Sequence, residues 1–362
     1  VLLVPALVIL GGVFGGGLVL GVAQSVGLFS LVDVHGPTLR FYADVLRNDD
    51  TARALALTCY VACTATAISL VLGVVFALLL RSAFRGAGLL RLVVQLPLPV
   101  PHLVAAVGVS LLLAQSGLLA RVLYAVGVID QPAAMPALIY DRGAVGIITA
   151  YVWKETPFMA LAALAALRSA NSDLEQAART LGARRWQTLR YVTLPLIAPG
   201  LLGAAVIMWA FTFGAFEVPL LLGQSYPRML AAEAWQQYGE PNLATRPAAF
   251  ALNMCVAGCA ALALLPYLWL RRRADLHALG GSDPAQSHPP APRPWWAALV
   301  GAVIVGWTVL PLVPLPAWSL SVGWRWPALV PPAWSLVPGA TCSIRLLARC
   351  PHCGQACSWR WW

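Results

Sequence analysis

Seven stretches of this chain stay apolar for about 20 residues or more, the length a helix needs to cross a bilayer. They cover 1–28, 54–80, 92–114, 143–167, 196–223, 247–270 and 295–319. Hydrocarbon offers no partner to a backbone N–H or C=O, so such runs fold as helices that satisfy themselves. The expected fold class is all-α, a polytopic membrane protein. Composition agrees: 60% of residues are hydrophobic and 10% charged, with a mean hydropathy of +0.75. A soluble domain carries about 25% charged residues and needs them to cover its surface. The first run lacks a basic leader and a small-residue cleavage site, so it reads as a helix rather than a signal peptide.

The net charge of +10 comes from 24 basic and 14 acidic residues, and Lys154 is the single lysine. The arginines sit in short loops between the apolar runs, which marks topology and not a nucleic-acid surface. The second, fourth and sixth loops hold 12 arginines, and the first, third and fifth hold seven. The positive-inside rule therefore places the even loops and the N-terminus in the cytoplasm. Cys59, Cys63, Cys255 and Cys259 lie within apolar runs at i,i+4 spacing, where packing is the simplest role.

The fourth loop is too patterned for a mere connection. Leu174, Ala177, Ala178 and Leu181 recur at helical spacing, with Ser172 or Asp173 before them as cap and Gly182 after them as stop. A second short helix is expected to carry Trp186 and Leu189, with Pro195 opening the next membrane helix. An apolar stripe presented this way docks into a groove on a partner or rests on lipid headgroups.

The string EQAARTLGARRWQTLRYVTLP, at 175–195, resembles the EAA loop of ABC importer permeases. The positions that carry the resemblance are Gln176, Ala177, Ala178, Gly182, Val192, Leu194 and Pro195, with Glu175 and Ala183 beside them. Gln176 stands where the family has glutamate, which puts a salt bridge from that position in doubt. The resemblance covers 1–275 and implies a type I importer permease core of six helices. In that family the loop is the coupling helix that enters a separate ATP-binding subunit. The resemblance implies three partners: ATP-binding subunits, a second permease half (identical or different), and a periplasmic or extracellular solute-binding protein. No Gly-x-x-x-x-Gly-Lys-Ser/Thr loop is present, so no cofactor is expected on this chain and ATP belongs to the partner.

Charges inside membrane helices are costly and face a cavity or a partner. Lys154, Glu155 and Glu217 either line a translocation pathway or form a buried pair, Lys154 with Glu217 or Glu155, that fixes packing. His102, beside Pro97, Pro99 and Pro101, is a pathway residue or a hydrogen-bonding helix-end residue. The strings FGAFEVPLLLG and PLPVPH resemble permeases of the polyamine, ferric iron, thiamine and sulfate group.

A Pro/Ser-rich linker at 276–294 separates the six-helix unit from the seventh run, which reads as the first helix of a second permease module. The remainder, 320–362, is expected to be irregular. Cys342, Cys350, His352, Cys353 and Cys357 have zinc-ligand or disulfide chemistry, but a shifted reading frame from about 337 onward explains why the permease pattern stops. The function expected is that of a permease subunit, not an enzyme, in a bacterial plasma membrane. The competing readings are an ion-coupled secondary transporter, with Lys154 and Glu217 as a proton relay, and a non-functional fragment of a fused permease.

Overall fold

A computed structural model describes residues 4–28, 36–81, 87–170, 172–275 and 296–335. The linker at 276–294, the tail beyond 335 with its four cysteines, and Asn171 lie outside the described residues.

The described residues are mostly helical. α1 (Val4–Leu10) continues through a π turn into α2 (Gly16–Ser25); α3 (Arg40–Arg47) precedes the long α4 (Asp49–Arg81). Next come α5 (Ala87–Gln95), α6 (His102–Leu113), α7 (Leu118–Ala125) and α8 (Val145–Ser169). The fourth loop holds α9 (Ser172–Thr180) and α10 (Arg185–Thr188), followed by α11 (Leu194–Gly214) and α12 (Glu217–Leu222). α13 (Leu230–Gly239), α14 (Arg246–Asp275), α15 (Trp296–Val309) and α16 (Pro314–Leu320) complete the helices. A two-residue antiparallel ladder, β1 (Ser321–Val322) with β2 (Ala333–Trp334), follows α16.

Among the described residues, six helical segments are long and apolar enough to cross a membrane: Leu7–Ser25, Asp49–Arg81, His102–Ala125, Arg185–Gly214, Leu243–Leu265 and Gly301–Leu320. α8 is not among them, because Lys154 and Glu155 lower its hydropathy, yet it is the centre of the molecule. Tyr151, Trp153, Met159 and Ala163 on α8 are all essentially inaccessible. α8 packs along α4 through small residues: Gly73 on α4 meets the backbone of Met159 and Ala160, Ala65 shares a cluster with Ile148 and Val152, and Ala77 shares one with Ala163. With no water to expel, membrane helices gain mainly from such close backbone approach. Pro157 removes the N–H that the Trp153 carbonyl would use, and the Thr156 hydroxyl donates to the Val152 carbonyl one turn back at 2.6 Å. By contrast, Leu7–Ser25 is exposed along nearly its whole length, so lipid or another protein surface must cover this helix on nearly every side.

Three boundaries differ from the sequence reading. The run 92–114 is broken at 96–101 by its prolines, and the crossing segment begins at His102. The run 196–223 breaks at 215–216, with Glu217 opening the separate α12. Pro195 falls in the first turn of α11, as expected, but no break precedes it: α10 runs through a π turn, Leu189–Thr193, straight into α11.

Contacts sort the loops onto two faces. On one, Arg53 donates to the Tyr226 hydroxyl at 2.7 Å, the Leu230 N–H is capped by the Thr58 hydroxyl at 2.9 Å, and the Tyr140 N–H meets the Leu222 carbonyl at 3.0 Å. These tie the first, third and fifth loops together. On the other face, Arg81 at the end of α4 pairs with Glu175 of the fourth loop.

The seventh apolar run packs on this unit. The Trp153 indole donates to the Thr308 carbonyl at 3.1 Å, and Ile304 sits in a cluster with Phe76, Leu80, Leu90 and Val94. The Arg121 guanidinium donates to the carbonyls of Arg325 (3.2 Å) and Ala328 (2.6 Å) and lies over the Trp318 and Trp324 rings.

Candidate functional site

The fourth loop presents a surface. α9 ends in a Schellman turn: the Ala183 N–H reaches the Ala178 carbonyl and the Gly182 N–H reaches the Arg179 carbonyl, both at 3.0 Å. That turn needs the positive φ of +89° found at Gly182. The turn leaves Leu174, Ala177, Leu181 and Trp186 exposed, Leu181 at 88% and Trp186 at 67%. Ala178 and Ala183 are half-buried, and Leu194 and Pro195 lie in the first turn of α11.

Glu175 holds this surface to the transmembrane body. Its Oε1 accepts from Arg81 Nη1 at 2.8 Å and from the Thr193 hydroxyl at 2.9 Å, joining α9 to the end of α4 and the start of α11. The ion pair thus falls on Glu175, one residue before Gln176. Burial acts to raise the Glu175 pKa. The hydrogen bonds from Arg81 and Thr193 and the charges of Arg81 and Arg179 outweigh it and hold the carboxyl below its ordinary value. A depressed folded-state pKa contributes stability above the unfolded value and loses it as pH falls through the folded value. The amides of 172–183 are therefore expected to exchange slowly at pH 7 and to lose protection in acid, below the ordinary value of 4.5. Hydrogen exchange corrected for intrinsic rates checks this, and Glu175→Gln is expected to exchange fast at both pH values.

The second group of polar residues lies where α6, α8, α11 and α12 meet. His102 is the first residue of α6, and its Nε2 lies 3.0 Å from Glu155 Oε1. The Phe211 ring packs on its imidazole, with centroids 4.7 Å apart. Lys154 pairs with neither Glu217 nor Glu155 within salt-bridge distance among the described residues. Its Nζ donates at 2.8 Å to the Leu98 carbonyl, in the segment where the helix is interrupted. A helix would have given that carbonyl a backbone partner, so the lysine serves as its substitute. A proton relay from Lys154 to Glu217 thus lacks its direct link. Glu217 is exposed, flanked by exposed Phe211 and Leu220. A carboxylate on an otherwise apolar surface cannot face lipid, so this side looks onto water or another subunit.

Sequence reasoning missed Tyr151. It is fully buried, and its hydroxyl has no hydrogen-bond partner among the described residues. Its position four residues before Glu155 on a helix was the available signal. Arg81, which the sequence offered only as a topology marker, was missed as the partner of Glu175.

Residues 69–276 match the family described as the binding-protein-dependent transport system inner membrane component. The chain is 33% identical over 182 residues to a probable ABC transporter permease protein, y4oQ, of Sinorhizobium fredii, covering 50% of this chain and 58% of the relative. It is 31% identical over 231 residues to the molybdenum transport system permease protein ModB of Mycobacterium bovis, covering 62% of this chain and 81% of the relative. Its fold superposes, with a TM-score of 0.62 and 20% identity, on a chain from the crystal structure of a bacterial ABC transporter that imports the acidic polysaccharide alginate, covering 75% of this chain and 94% of that one. A second structure of the alginate transporter, in complex with a pentasaccharide-bound periplasmic protein, matches equally well. With more than half of its length matched, and with the loop and helices in the arrangement described, this chain belongs to the family of binding-protein-dependent transport system inner membrane components.

Proposed function

We propose that this chain is one membrane-spanning half of an ATP-driven importer, working with separate ATP-binding subunits, a second permease half and a solute-binding protein. The observation that carries the reading is the fourth loop. An exposed apolar ridge of Leu174, Ala177, Leu181 and Trp186 is pinned through Glu175 to Arg81 and Thr193, so force applied to the ridge reaches α4 and α11 directly. A ridge left free to swing would transmit nothing. In this reading 175–195 is the coupling loop and the face that bears it is cytoplasmic, in agreement with the arginine excess of the even loops. The N-terminus then lies in the cytoplasm and the membrane is the bacterial plasma membrane. His102, Glu155 and Glu217 line the translocation side, and Lys154 supports it from behind. ATP binds and is hydrolysed on the partner.

The six-helix unit spans 1–275, and the helix at 295–319 closes one of its walls as the beginning of a second module. The packing of Thr308 on Trp153 and of Ile304 on Phe76 and Leu90 supports that placement. The nearly bare Leu7–Ser25 helix is the complementary element, suited to lipid or to the second half.

The test is co-expression of the tagged chain with the ATP-binding subunit encoded beside it, and purification in detergent. Retention of an active ATPase is the expected result. A monodisperse, folded chain that retains no ATPase and takes up solute on a proton gradient overturns the proposal.

A further inference from the structure

We propose that the face opposite the fourth loop holds one anionic phospholipid, with its phosphate on Arg246 and an acyl chain in an aromatic cavity beside it. The site goes beyond transport and requires only that the chain crosses a membrane. The cavity measures about 420 Å³, within the ~300–1,000 Å³ of pockets that take small molecules. It lies where the helical run breaks at 215–216, between the end of α11, α13 and the start of α14. Gly214, Phe216, Trp235, Tyr238, Phe250 and Asn253 line it. Phe216 stacks on Trp235 with centroids 4.9 Å apart, and Tyr238 meets Phe250 edge-on at 5.7 Å. The rings brace one another and keep the space open. Trp235 and Tyr238 are exposed, just before the crossing segment Leu243–Leu265. Tryptophan and tyrosine at the end of a membrane span sit at headgroup level.

Arg246 supplies the second, independent observation. Arg246, Phe250 and Asn253 fall at i, i+4 and i+7 on α14, so the guanidinium stands at the end of the same stripe that lines the cavity. Its Cζ lies 5.1 Å from the centre of the Tyr238 ring. The residue is half-buried, its Nε is covered without a hydrogen-bond partner, and no carboxylate stands within salt-bridge distance among the described residues. Glu233 of α13 is engaged elsewhere, by Arg228 at 3.4 Å and Gln237 at 3.1 Å. Glu217 and Glu240 flank the lining residues in sequence, but neither lines the cavity. The face of Tyr238 offsets part of the cost of this cation and brings no counter-charge. A guanidinium suits phosphate, which accepts parallel N–H bonds from it. The apolar space one helical turn away then selects a phosphate that carries a hydrocarbon chain over a free ion. The headgroup follows from the same charge balance. A choline or ethanolamine nitrogen would meet a like charge with no carboxylate to receive it, so a net negative headgroup binds better than a zwitterionic one.

The experiment uses the full chain, alone in detergent and assembled with its ATP-binding subunits and second half. The probe is phosphatidylglycerol with a diazirine on one acyl chain, and peptide mass spectrometry after photolysis maps where it attaches. Saturable labelling of 214–253 is expected in both preparations. Unlabelled phosphatidylglycerol should displace it at roughly tenfold lower concentration than phosphatidylcholine of the same chains, and inorganic phosphate at matched ionic strength should not displace it. Arg246→Gln is expected to raise the half-saturating concentration roughly tenfold, the size of one lost charge-assisted hydrogen bond. Gly214→Leu fills the cavity from an open position, since a Cβ there meets only Val256 Cγ1, at 4.0 Å. It should abolish the labelling and melt in detergent as wild type does. Arg40→Gln, at an exposed arginine of the first loop, leaves the labelling unchanged. Labelling that does not saturate, equal displacement by phosphatidylcholine, displacement by inorganic phosphate, or wild-type labelling by either Arg246→Gln or Gly214→Leu overturns the proposal. Labelling of the isolated chain that vanishes on assembly overturns it too, and assigns the cavity to the second half. Failure to assemble counts against the importer reading alone, and the isolated chain then decides the lipid site.

Discussion

Gly73→Val is expected to prevent the chain from accumulating as a folded protein. Gly73 lies on α4 where it crosses α8, the central helix pair. A Cβ at this position would stand 2.6 Å from Met159 Cβ, 2.8 Å from the Met159 carbonyl carbon and 2.9 Å from the Ala160 nitrogen. Two of those three atoms are backbone, and Met159 and Ala160 are both essentially inaccessible, so no flexible side chain can swing aside. The helices must separate along their contact. Overpacking of a core costs about 1–3 kcal/mol when side chains can adjust, and a backbone clash falls at or beyond the upper end. That is a large share of the roughly 5–15 kcal/mol by which folded proteins are stable. Gly258→Val on α14 is the control, since nothing lies within 4 Å of a Cβ there. Thermal unfolding in detergent, followed by size-exclusion chromatography, should show Gly258→Val near wild type and Gly73→Val aggregated or strongly lowered in Tm. A Gly73→Val protein with the wild-type transition would mean that α4 and α8 do not approach as described.

Much of this architecture was legible in the sequence because lipid imposes one demand, that every backbone group be satisfied within the protein. The apolar runs, the arginine-rich loops and the stop at Gly182 all follow from local chemistry. What escaped was chemistry between a side chain and a distant backbone group. Lys154 looked like one end of an ion pair because charge suggests charge. The interruption at 96–101 instead leaves the Leu98 carbonyl free, and that carbonyl takes the lysine. Hydropathy cannot register an acceptor of this kind, nor could it place the break at 215–216 after which Glu217 opens a separate helix. The ion pair of the fourth loop escaped for a related reason. The motif draws the eye to Gln176, whereas the partner of Arg81 is its neighbour Glu175, and Arg81 is 94 residues away in sequence.

Gly182→Val tests the loop without touching the membrane spans. The turn after α9 closes through the Ala178 and Arg179 carbonyls, and it does so only with Gly182 at φ +89°. Space is not the obstacle, since nothing lies within 4 Å of a Cβ at this position. The obstacle is the backbone: a β-branched residue pays about 1–3 kcal/mol to stay in the left-handed region. The chain escapes that strain by rotating out of it, which breaks the two capping bonds and turns the exposed ridge of α9 away from Trp186. Because α4, α8 and α11 are untouched, the variant is expected to insert and to unfold at the wild-type temperature in detergent. Its population of correctly presented loop, however, falls by roughly tenfold or more. ATP-driven uptake into proteoliposomes should fall in proportion, together with retention of the ATP-binding subunit. Gly182→Asn separates conformation from chemistry, because asparagine tolerates positive φ while adding a side chain of similar bulk. Near-normal uptake by Asn and loss by Val would place coupling in the shape of this turn. Equal loss in both would assign it to a surface that needs a bare glycine for close contact with the partner. Wild-type uptake by Val would remove 175–195 from the coupling mechanism altogether.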